Sequence, residues 1–442
     1  LLSFTLAKKE RGPEALNSFM TLCSGLVLAG TLFVITSRSF IFFETYQLDM
    51  LSQGFKVILA LGLLFTVVLS QRLSSISAGR HVEYYLFLCT ATLGMMMMSS
   101  AVDILSLYVS MELSSYSLYL LTSLRRDKRN AEAGVKYLIF GAAGSGVFLW
   151  GVSLVTGLAG TTSLMGIAMA ASHWMNQPAF VLGLVFMSFA FLFKLSAFPM
   201  HFWAPDVYES ASTPVTNFIA TSSKAAAVAI LIRVFMTIGM PEAVSTLLGI
   251  LAFVSMTLGN CVALVQKDVK RLLAYSSVAQ AGYILLGLLS GSINGYASTF
   301  FYAFAYVLMN TGVFLVVSLI AKASNEDNPQ LSHFDGLADR SPFLALLLLL
   351  SLLSLAGIPP LAGFTGKWIL FSAAMDQGHW FLVLWAVLNS VVSLFYYLTL
   401  VKHAYLEKPK DPSPMNLSFS TQCLALFLVI ALPAIQNFKD PI

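Results

Sequence analysis

The chain has 442 residues, of which 57% are apolar and only 10% are charged, with a formal net charge of +4. A soluble domain carries about 25% charged residues, so this composition excludes a soluble protein and predicts an all-α, polytopic membrane protein. The small net charge also argues against a nucleic-acid-binding protein. The four cysteines lie in apolar runs without the spacing of a zinc, iron–sulfur or disulfide site. We therefore expect no metal and no cofactor bound by this chain itself.

Thirteen apolar runs are each long enough to cross about 30 Å of hydrocarbon. Residues 1–7 are also apolar and precede a basic stretch, which indicates the end of a further helix. The sequence therefore predicts about 14 transmembrane helices, the first of them truncated. In chain order the thirteen runs are 15–36, 51–70, 83–102, 103–124, 131–157, 178–198, 211–239, 243–265, 271–290, 295–322, 342–375, 379–402 and 417–437.

Lysine and arginine are distributed unequally between the two alternating sets of loops. One set holds seventeen basic residues, whereas the other holds only Arg38 and Lys439. Cytoplasmic loops are the ones enriched in lysine and arginine, so we expect the basic set to face the cytoplasm. Its members are Lys8, Lys9, Arg11, Arg72, Arg80, Arg125, Arg126, Lys128, Arg129, Lys267, Lys270, Arg271, Lys322, Arg340, Lys402, Lys408 and Lys410.

Six basic residues remain at membrane depth once the loops are subtracted. Lys56 and Arg233 lie near helix ends, where we expect their side chains to extend toward an interface. The side chain of Lys136 could also extend toward an interface, because Lys136 lies closer to the cytoplasmic end of its helix. The remaining members of the group are Lys194, Lys224 and Lys367. Charges inside a membrane are costly and usually mark an ion pathway.

One carboxylate, Glu112, lies near the middle of a predicted helix, and Ser115 and Tyr116 share its helical face. The alternative is a structural role, in which Glu112 only forms a hydrogen bond with a serine or tyrosine hydroxyl of a neighbouring helix. We favour a functional role because buried lysines need a counter-charge. A nearby carboxylate favours the charged lysine, and its withdrawal favours release of the proton. The pattern therefore predicts a proton relay.

Proline interrupts the seventh and the twelfth predicted helices, and each interrupted segment carries a lysine within eight residues of a proline. Discontinuous helices in corresponding halves indicate a transporter site. Because the two helices are five apart and five is odd, we expect two inverted five-helix repeats. The predicted divisions are 1–82 (helices 1–3), 83–239 (helices 4–8), 243–402 (helices 9–13) and 403–442 (helix 14). The residues that we assign to the breaks are Pro199, His201, Asp206, Pro359 and Pro360.

Three stretches resemble the antiporter-like membrane subunits of proton-pumping NADH:quinone oxidoreductase, the relatives of Mrp-type cation/proton antiporters. These stretches are 193–216, which ends Pro-Asp-Val-Tyr-Glu-Ser-Ala-Ser-Thr-Pro-Val-Thr, 270–277, which reads Lys-Arg-Leu-Leu-Ala-Tyr-Ser-Ser, and 353–360. The resemblance extends over nearly the whole chain from about residue 80. The eleventh helix (301–312) lacks the histidine and lysine of the L and M types, and the run 221–225 and Lys367 fit the N type best.

The resemblance implies roles for individual residues. Glu112 and Lys194 correspond to the family's glutamate–lysine pair, Lys136 and Lys224 to its connecting lysines, and Lys367 to its exit-side lysine. This chain has Gln280 in the tenth helix, where a histidine is common. We therefore expect a hydrogen-bonding or water-holding role for Gln280 rather than a titrating one.

The resemblance also implies a setting in a bacterial inner membrane. There the chain would contact an M-type antiporter-like subunit, small K-, J- and A-type subunits and lipids. NADH, FMN, iron–sulfur clusters and quinone would belong to partner subunits. A stand-alone or Mrp-type cation/proton antiporter and a purely structural subunit are the alternatives at this stage.

Overall fold

The apolar runs form α-helices almost throughout, since a chain in hydrocarbon must satisfy its backbone hydrogen bonds within each segment. A computed structural model describes residues 13–73, 75–125, 127–324, 326–409, 413, 415 and 417–435. The expected truncated first helix (1–7) and six basic residues of the loop analysis lie outside the described residues. Five of the six belong to the cytoplasmic set, and the sixth, Lys439, to the other set; the five are Lys8, Lys9, Arg11, Arg126 and Lys410.

The helices that correspond to predicted spans follow them within a few residues. In chain order, the helices of the described chain are α1 (Pro13–Phe33), α2 (Met50–Leu69), α3 (His81–Ser100), α4 (Ile104–Thr122), α5 (Lys128–Ala159), α6 (Leu164–Trp174), α7 (Pro178–Leu195), α8 (Trp203–Ser210), α9 (Thr213–Phe218), α10 (Lys224–Ile238), α11 (Glu242–Ala263), α12 (Val269–Leu289), α13 (Ile293–Ser324), α14 (Leu337–Arg340), α15 (Pro342–Ala356), α16 (Ala362–Asp376), α17 (Trp380–Leu406) and α18 (Phe419–Ala434). The short helices α6, α8 and α14 lie outside the predicted spans. A short antiparallel hairpin pairs β1 (Ser39–Ile41) with β2 (Tyr46–Leu48).

The predicted polytopic, all-α fold is confirmed. Among the described residues, eleven helical segments are long and apolar enough to cross a membrane, one of them formed by α9, a π-helical turn and α10 together. Two shorter apolar helices, α15 and α18, lie within the remaining two predicted spans. The chain is therefore a multi-pass membrane protein.

The chain forms two compact units that interleave along the sequence. The first contains the described residues up to 203 together with Ser222–Ile250. The second contains Ala204–Thr221 together with the described residues from 251 onward. The helix made of α9 and α10 thus contributes its beginning to the second unit and its remainder to the first.

In the first unit, a pair of backbone hydrogen bonds fixes the start of α4. The Ile104 N–H donates to the Thr162 carbonyl at 2.9 Å, and the Leu164 N–H donates to the Val102 carbonyl at 2.9 Å. Asp103 caps α4, and its carboxylate accepts from backbone N–H groups of the first turn. A carboxylate is favourable there because the helix N-terminus carries partial positive charge.

The second unit contains the same arrangement at the start of α12. The Val269 N–H donates to the Pro329 carbonyl at 3.2 Å, and the Leu331 N–H donates to the Lys267 carbonyl at 3.3 Å. Asp268 is the capping residue and lies 165 positions after its counterpart Asp103 (268 − 103). The local structure around the two caps therefore repeats.

Glycines show the same repetition on the preceding helices. A Cβ at Gly94 of α3 would lie 2.6 Å from the Ser114 backbone nitrogen, so only glycine allows this approach of α3 to α4. A Cβ at Gly259 of α11 would lie 2.5 Å from the Ala279 backbone nitrogen. Gly259 is again 165 positions after Gly94 (259 − 94), and each glycine lets two helices pack backbone to backbone.

The seventh predicted helix is interrupted after Leu195, as expected. Ser196 adopts the left-handed conformation with φ of 58°. The Ala197 N–H then donates to the Leu192 carbonyl at 3.0 Å. This six-to-one hydrogen bond is the Schellman ending of an α-helix, so α7 ends inside the predicted span.

The twelfth predicted helix is interrupted in the same way after Ala356. Gly357 takes the left-handed conformation with φ of 89°, and the Ile358 N–H donates to the Leu353 carbonyl at 3.0 Å. A cis peptide bond follows each interruption, at Phe198-Pro199 and at Pro359-Pro360. The two predicted broken helices are therefore confirmed, and they break through one shared motif.

Candidate functional sites

Lys194 lies in the last turn of α7 in the first unit, immediately before the break. Its side chain is 4% exposed. The ammonium donates to the Ser114 hydroxyl at 3.1 Å and to the Ser115 hydroxyl at 2.8 Å, both on α4. Each of these hydroxyls also donates to the Met111 carbonyl one turn earlier. Both partners of the buried ammonium are therefore neutral.

Glu112 lies on α4 within one turn of these serines and is half-buried. The Ser145 hydroxyl of α5 donates to its carboxylate. Among the described residues no ion pair joins Glu112 directly to Lys194, but the two side chains interact electrostatically. The groups in direct contact with Lys194 are therefore the two serine hydroxyls, with Glu112 one turn away on the same helix.

Lys136 is much more exposed than Lys194. Its ammonium pairs with the Glu132 carboxylate one turn earlier on α5, at 2.8 Å, and its side chain is 42% exposed. The pair has the i, i+4 spacing of a helix surface. Lys136 therefore lies on an open face of the chain, and its part in a relay stays a prediction.

Lys224 is the first residue of α10 and its side chain is 1% exposed. A π-helical turn, Ile219–Ser223, precedes it directly. Isolated π turns inside helices occur frequently at functional sites. Lys224 is therefore buried within the protein, beside a local departure from α-helical geometry.

Lys367 lies on α16 in the second unit, and its side chain is 4% exposed. Its ammonium donates to the carbonyls of Leu355 at 3.0 Å and Ala356 at 3.1 Å, the groups freed at the end of α15. The third donation goes to the Ser390 hydroxyl of α17 at 2.7 Å. The nitrogen also lies 4.6 Å from the centre of the Tyr283 ring. The negative end of the α15 dipole and the π-face both favour a cation here.

Gln280 lies on α12 close to the same break and is 1% exposed. Its side-chain nitrogen donates to the Leu355 carbonyl at 3.2 Å and to the Tyr397 hydroxyl at 3.4 Å. Its side-chain oxygen accepts from the Tyr302 hydroxyl. The side chain is therefore hydrogen-bonded at both ends within the second unit, and its functional role stays a prediction.

The polar residues assigned to the first break have separate environments. His201 follows the break and is buried, and burial lowers the pKa of its imidazole against a smaller opposing contribution from the Pro199 backbone. Asp206 lies on α8 in the second unit, where it pairs with Arg271 at 3.2 Å. Arg271 also pairs with Glu209 at 2.7 Å. Asp206 thus belongs to a partly exposed ion-pair cluster.

Two buried cations have environments that the sequence analysis did not predict. Arg233 is 2% exposed, and its guanidinium forms two hydrogen bonds of 2.9 Å with the Asp49 carboxylate, so it does not extend to a surface of the chain. Lys270, which we placed in a loop, is fully buried and donates to the Ala211 carbonyl at 3.0 Å. Asp49 lies 184 positions from Arg233, so no local signal connects them.

A multi-pass membrane protein with lysines buried beside broken helices is the class that this fold and these sites define. The family described as NADH:quinone oxidoreductase/Mrp antiporter, TM, matches residues 101–393. The chain belongs to this family, which confirms the resemblance seen in its sequence.

Two named relatives are both subunits of one type, the N type. The NADH-quinone oxidoreductase subunit N 2 of Syntrophobacter fumaroxidans is 45% identical over 95% of this chain and 89% of its own length. The NADH-quinone oxidoreductase subunit N of Heliobacterium modesticaldum is 44% identical over 81% of this chain and 76% of its own length. This agrees with the N type that the sequence favoured.

Solved structures show the same fold. A chain of respiratory complex I from Thermus thermophilus with bound aureothin has a TM-score of 0.85 and 34% identity, covering 98% of this chain and 94% of that one. A chain of the Mrp complex from Dietzia sp. DQ12-45-1b also has a TM-score of 0.85, at 20% identity, over 96% of this chain and 90% of that one. At that identity the Mrp likeness concerns the fold alone.

Proposed function

We propose that this chain is a proton-translocating membrane-arm subunit of an NADH:quinone oxidoreductase of the respiratory complex I type. The relatives named subunit N and the complex I chain of the same fold support this assignment. The geometry of the two lysine sites supplies the physical basis for translocation.

One observation carries the proposal: Lys194 and Lys367 are buried, and among the described residues they donate hydrogen bonds to neutral hydroxyls and carbonyls. A buried ammonium with a contacting carboxylate would be held as a permanent ion pair. With neutral partners the lysine can lose its proton without leaving an uncompensated carboxylate in direct contact. Glu112, near Lys194, then supplies a charge whose influence changes when conformation changes.

The energies involved are of the required size. Moving one charge against roughly 150–200 mV costs about 3.5–4.6 kcal/mol. Burial alters the titration of lysines in proteins by up to about 3–5 units, which corresponds to about 4–7 kcal/mol. Modest changes in hydration or in the position of Glu112 are therefore sufficient to drive uptake and release at a buried lysine.

We further propose that the redox chemistry takes place in partner subunits, where NADH, FMN, iron–sulfur clusters and quinone are bound. The partners would be an M-type antiporter-like subunit and small K-, J- and A-type subunits in a bacterial inner membrane. The basic loops would face the cytoplasm. This chain would then contribute to the enzyme as a subunit without a redox centre.

We also propose that 83–239 and 243–402 are two five-helix repeats, with 1–82 and 403–442 as flanking helices. The support is the recurrence of caps, glycine contacts and breaks at corresponding positions of the sequence. In the first unit Lys224 is the proposed next carrier after Lys194. Lys136, with its exposed Glu132 pair, is the weakest of the candidate carriers.

Replacement of Lys194 tests the function. In vesicles carrying the assembled complex, Lys194→Met should reduce the protons pumped per NADH oxidised at least several-fold, because methionine cannot carry a proton. Lys402→Met is the matched control, since Lys402 is 58% exposed and pairs with Glu407. Normal pumping by Lys194→Met, at wild-type assembly on a native gel, would reject the role of Lys194.

A further inference from the structure

The break after α15 leaves two carbonyl groups, those of Leu355 and Ala356, directed at the Lys367 ammonium. Each accepts one hydrogen bond from Lys367, at 3.0 Å and 3.1 Å. Both residues are buried. A buried carbonyl without a donor is unfavourable, so release of Lys367 from these groups carries a cost unless another donor is present.

Each of the two carbonyls has such a second donor. The Gln280 side-chain nitrogen donates to Leu355 at 3.2 Å, and the Ser390 hydroxyl donates to Ala356 at 2.9 Å. A carbonyl oxygen has two lone pairs and accepts both bonds. The end of α15 therefore stays hydrogen-bonded whether or not Lys367 donates to it.

The orientation of the Gln280 amide is fixed by its surroundings. A backbone carbonyl only accepts hydrogen bonds, so the amide nitrogen must face Leu355. On the other side of the amide, the Tyr302 hydroxyl donates to the side-chain oxygen. Tyr302 is also fully buried. Both ends of the Gln280 amide are thus engaged in one orientation.

We propose that Gln280 is a positioning residue for Lys367: it keeps the Leu355 carbonyl hydrogen-bonded while the lysine gives up its proton or moves away. The proposal rests on the proposed function in assigning proton release to Lys367. Ser390 has the same relation to the Ala356 carbonyl. Gln280 itself carries no proton, which distinguishes this role from that of a relay group.

The variant Gln280→Met removes the donor and keeps the length of the side chain. Its control is Tyr302→Phe, which removes the hydroxyl bond at the other end of the amide and leaves the donor to Leu355 in place. In vesicles, the protons pumped per NADH by Gln280→Met should fall about tenfold or more near neutral pH. They should recover as the pH is raised by about one to two units, because a higher pH drives proton release.

We expect Tyr302→Phe to keep the wild-type pH profile. A Gln280→Met profile reduced equally at every pH, or unchanged, would overturn the proposal. If Gln280→Met does not assemble, Gln280→Glu serves instead. Its ionised carboxylate gives no donor to Leu355 and attracts the ammonium, so the same pH-dependent loss is expected, and a wild-type profile overturns the proposal.

A second measurement does not depend on pumping. The unfolding equilibrium of the full chain in lipid is compared for Gln280→Met, Lys367→Met and the double variant. Each single variant should raise the equilibrium constant for unfolding by some factor. In the double variant the increase should be about ten times the product of these two factors, because only the double variant leaves the Leu355 carbonyl without a donor. Multiplicative effects would overturn the role of Gln280, whereas normal pumping by Lys367→Met would count against the proposed function alone.

Discussion

Arg233 differs from Lys194 and Lys367 in the kind of partner that it contacts, and the difference matches what each side chain can do. Arg233 forms a two-point contact with the Asp49 carboxylate, and arginine does not lose its proton in proteins. Lys194 and Lys367 contact neutral oxygens, and lysine is a group that can exchange its proton. We interpret the arginine pair as structural and the two lysines as the transport groups.

The Asp49–Arg233 pair predicts a dependence of stability on pH. Burial alone would raise the pKa of the Asp49 carboxyl, but the hydrogen bonds and charge of Arg233 outweigh it and, with the Ser52 cap, hold that pKa below its usual value. The stability from ionised Asp49 is therefore complete above about pH 4 and is lost as the pH falls through the lower value in the folded state.

We expect Asp49→Asn to lower the free energy of unfolding by about 2–3 kcal/mol at pH 7, since Asp49 is only partly exposed. The difference from the wild-type protein should shrink as the pH drops below 4. Chemical unfolding in lipid at a series of pH values measures it, with Asp339→Asn on an exposed side chain as the control. A difference that stays constant down to pH 3 would show that the pair does not stabilise the fold.

Glu112 should influence transport through its charge. We expect Glu112→Gln to reduce the protons pumped per NADH strongly and electron transfer less, with Glu112→Asp milder, because glutamine keeps the Ser145 contact and loses the charge near Lys194. Pumping and NADH oxidation in vesicles are measured side by side. Glu242→Gln, which removes an exposed carboxylate at the start of α11, should behave like the wild type. Equal pumping by the two variants would exclude a specific role for Glu112.

At the scale of elements, the shared ending of α7 and α15 places a lysine at each break. The left-handed residue is Ser196 in the first and Gly357 in the second. A Cβ at position 357 would also lie 3.0 Å from Cδ of Lys367. The glycine therefore serves both the backbone conformation and the position of the lysine.

Two glycine variants separate these effects. Gly357→Ala and Gly378→Ala both put alanine at a positive φ, at 89° and 82°, but a Cβ at Gly378 meets no atom within 4 Å. Both should lose about 1–2 kcal/mol of stability. Only Gly357→Ala should also pump less, because it displaces Lys367. Stability and pumping are measured on the same preparations, and equal pumping by both variants would contradict this account of the break.

Most of the helices are predictable from the sequence, because every segment that crosses hydrocarbon must satisfy its backbone hydrogen bonds internally and therefore forms a long apolar helix. Helix bounds and both breaks follow from apolar runs, prolines and glycines. The short helix α6 (Leu164–Trp174) and the hairpin at 39–48 were not predicted. With 11 residues, α6 is about 16 Å long and cannot span, and three-residue strands are too short for a periodic signal.

The candidate sites were predictable in part. Lys194, Lys224 and Lys367 could be selected because each lies in the middle of an apolar run. A charged side chain is costly there and is usually kept for a function. The partners of these lysines were not predictable, because contacts such as Lys194 with Ser115 join residues 79 positions apart. Lys136 was judged by its distance from a helix end, and Lys270 was assigned to the loop before an apolar run. Neither criterion shows which face of a helix packs against a neighbour.

At the scale of the whole molecule, the proposed proton translocation requires that a lysine at each broken helix releases a proton during turnover. A structural subunit would need only the positive charge. The proton-translocating and the structural hypotheses therefore predict different effects of an arginine substitution, because arginine keeps the charge and does not release the proton. At Lys367 the same carbonyls and the Ser390 hydroxyl would be available to either side chain.

Proton pumping by Lys367→Arg and Lys367→Ala, in reconstituted vesicles at matched assembly, tests this claim most directly. We predict that Lys367→Arg blocks pumping at least as severely as Lys367→Ala, because a fixed charge cannot pass a proton on and repels an arriving one, whereas water can partly bridge the space left by alanine. NADH oxidation by the same samples shows that the complex is intact. An arginine variant that pumps normally beside an inactive alanine variant would contradict the account.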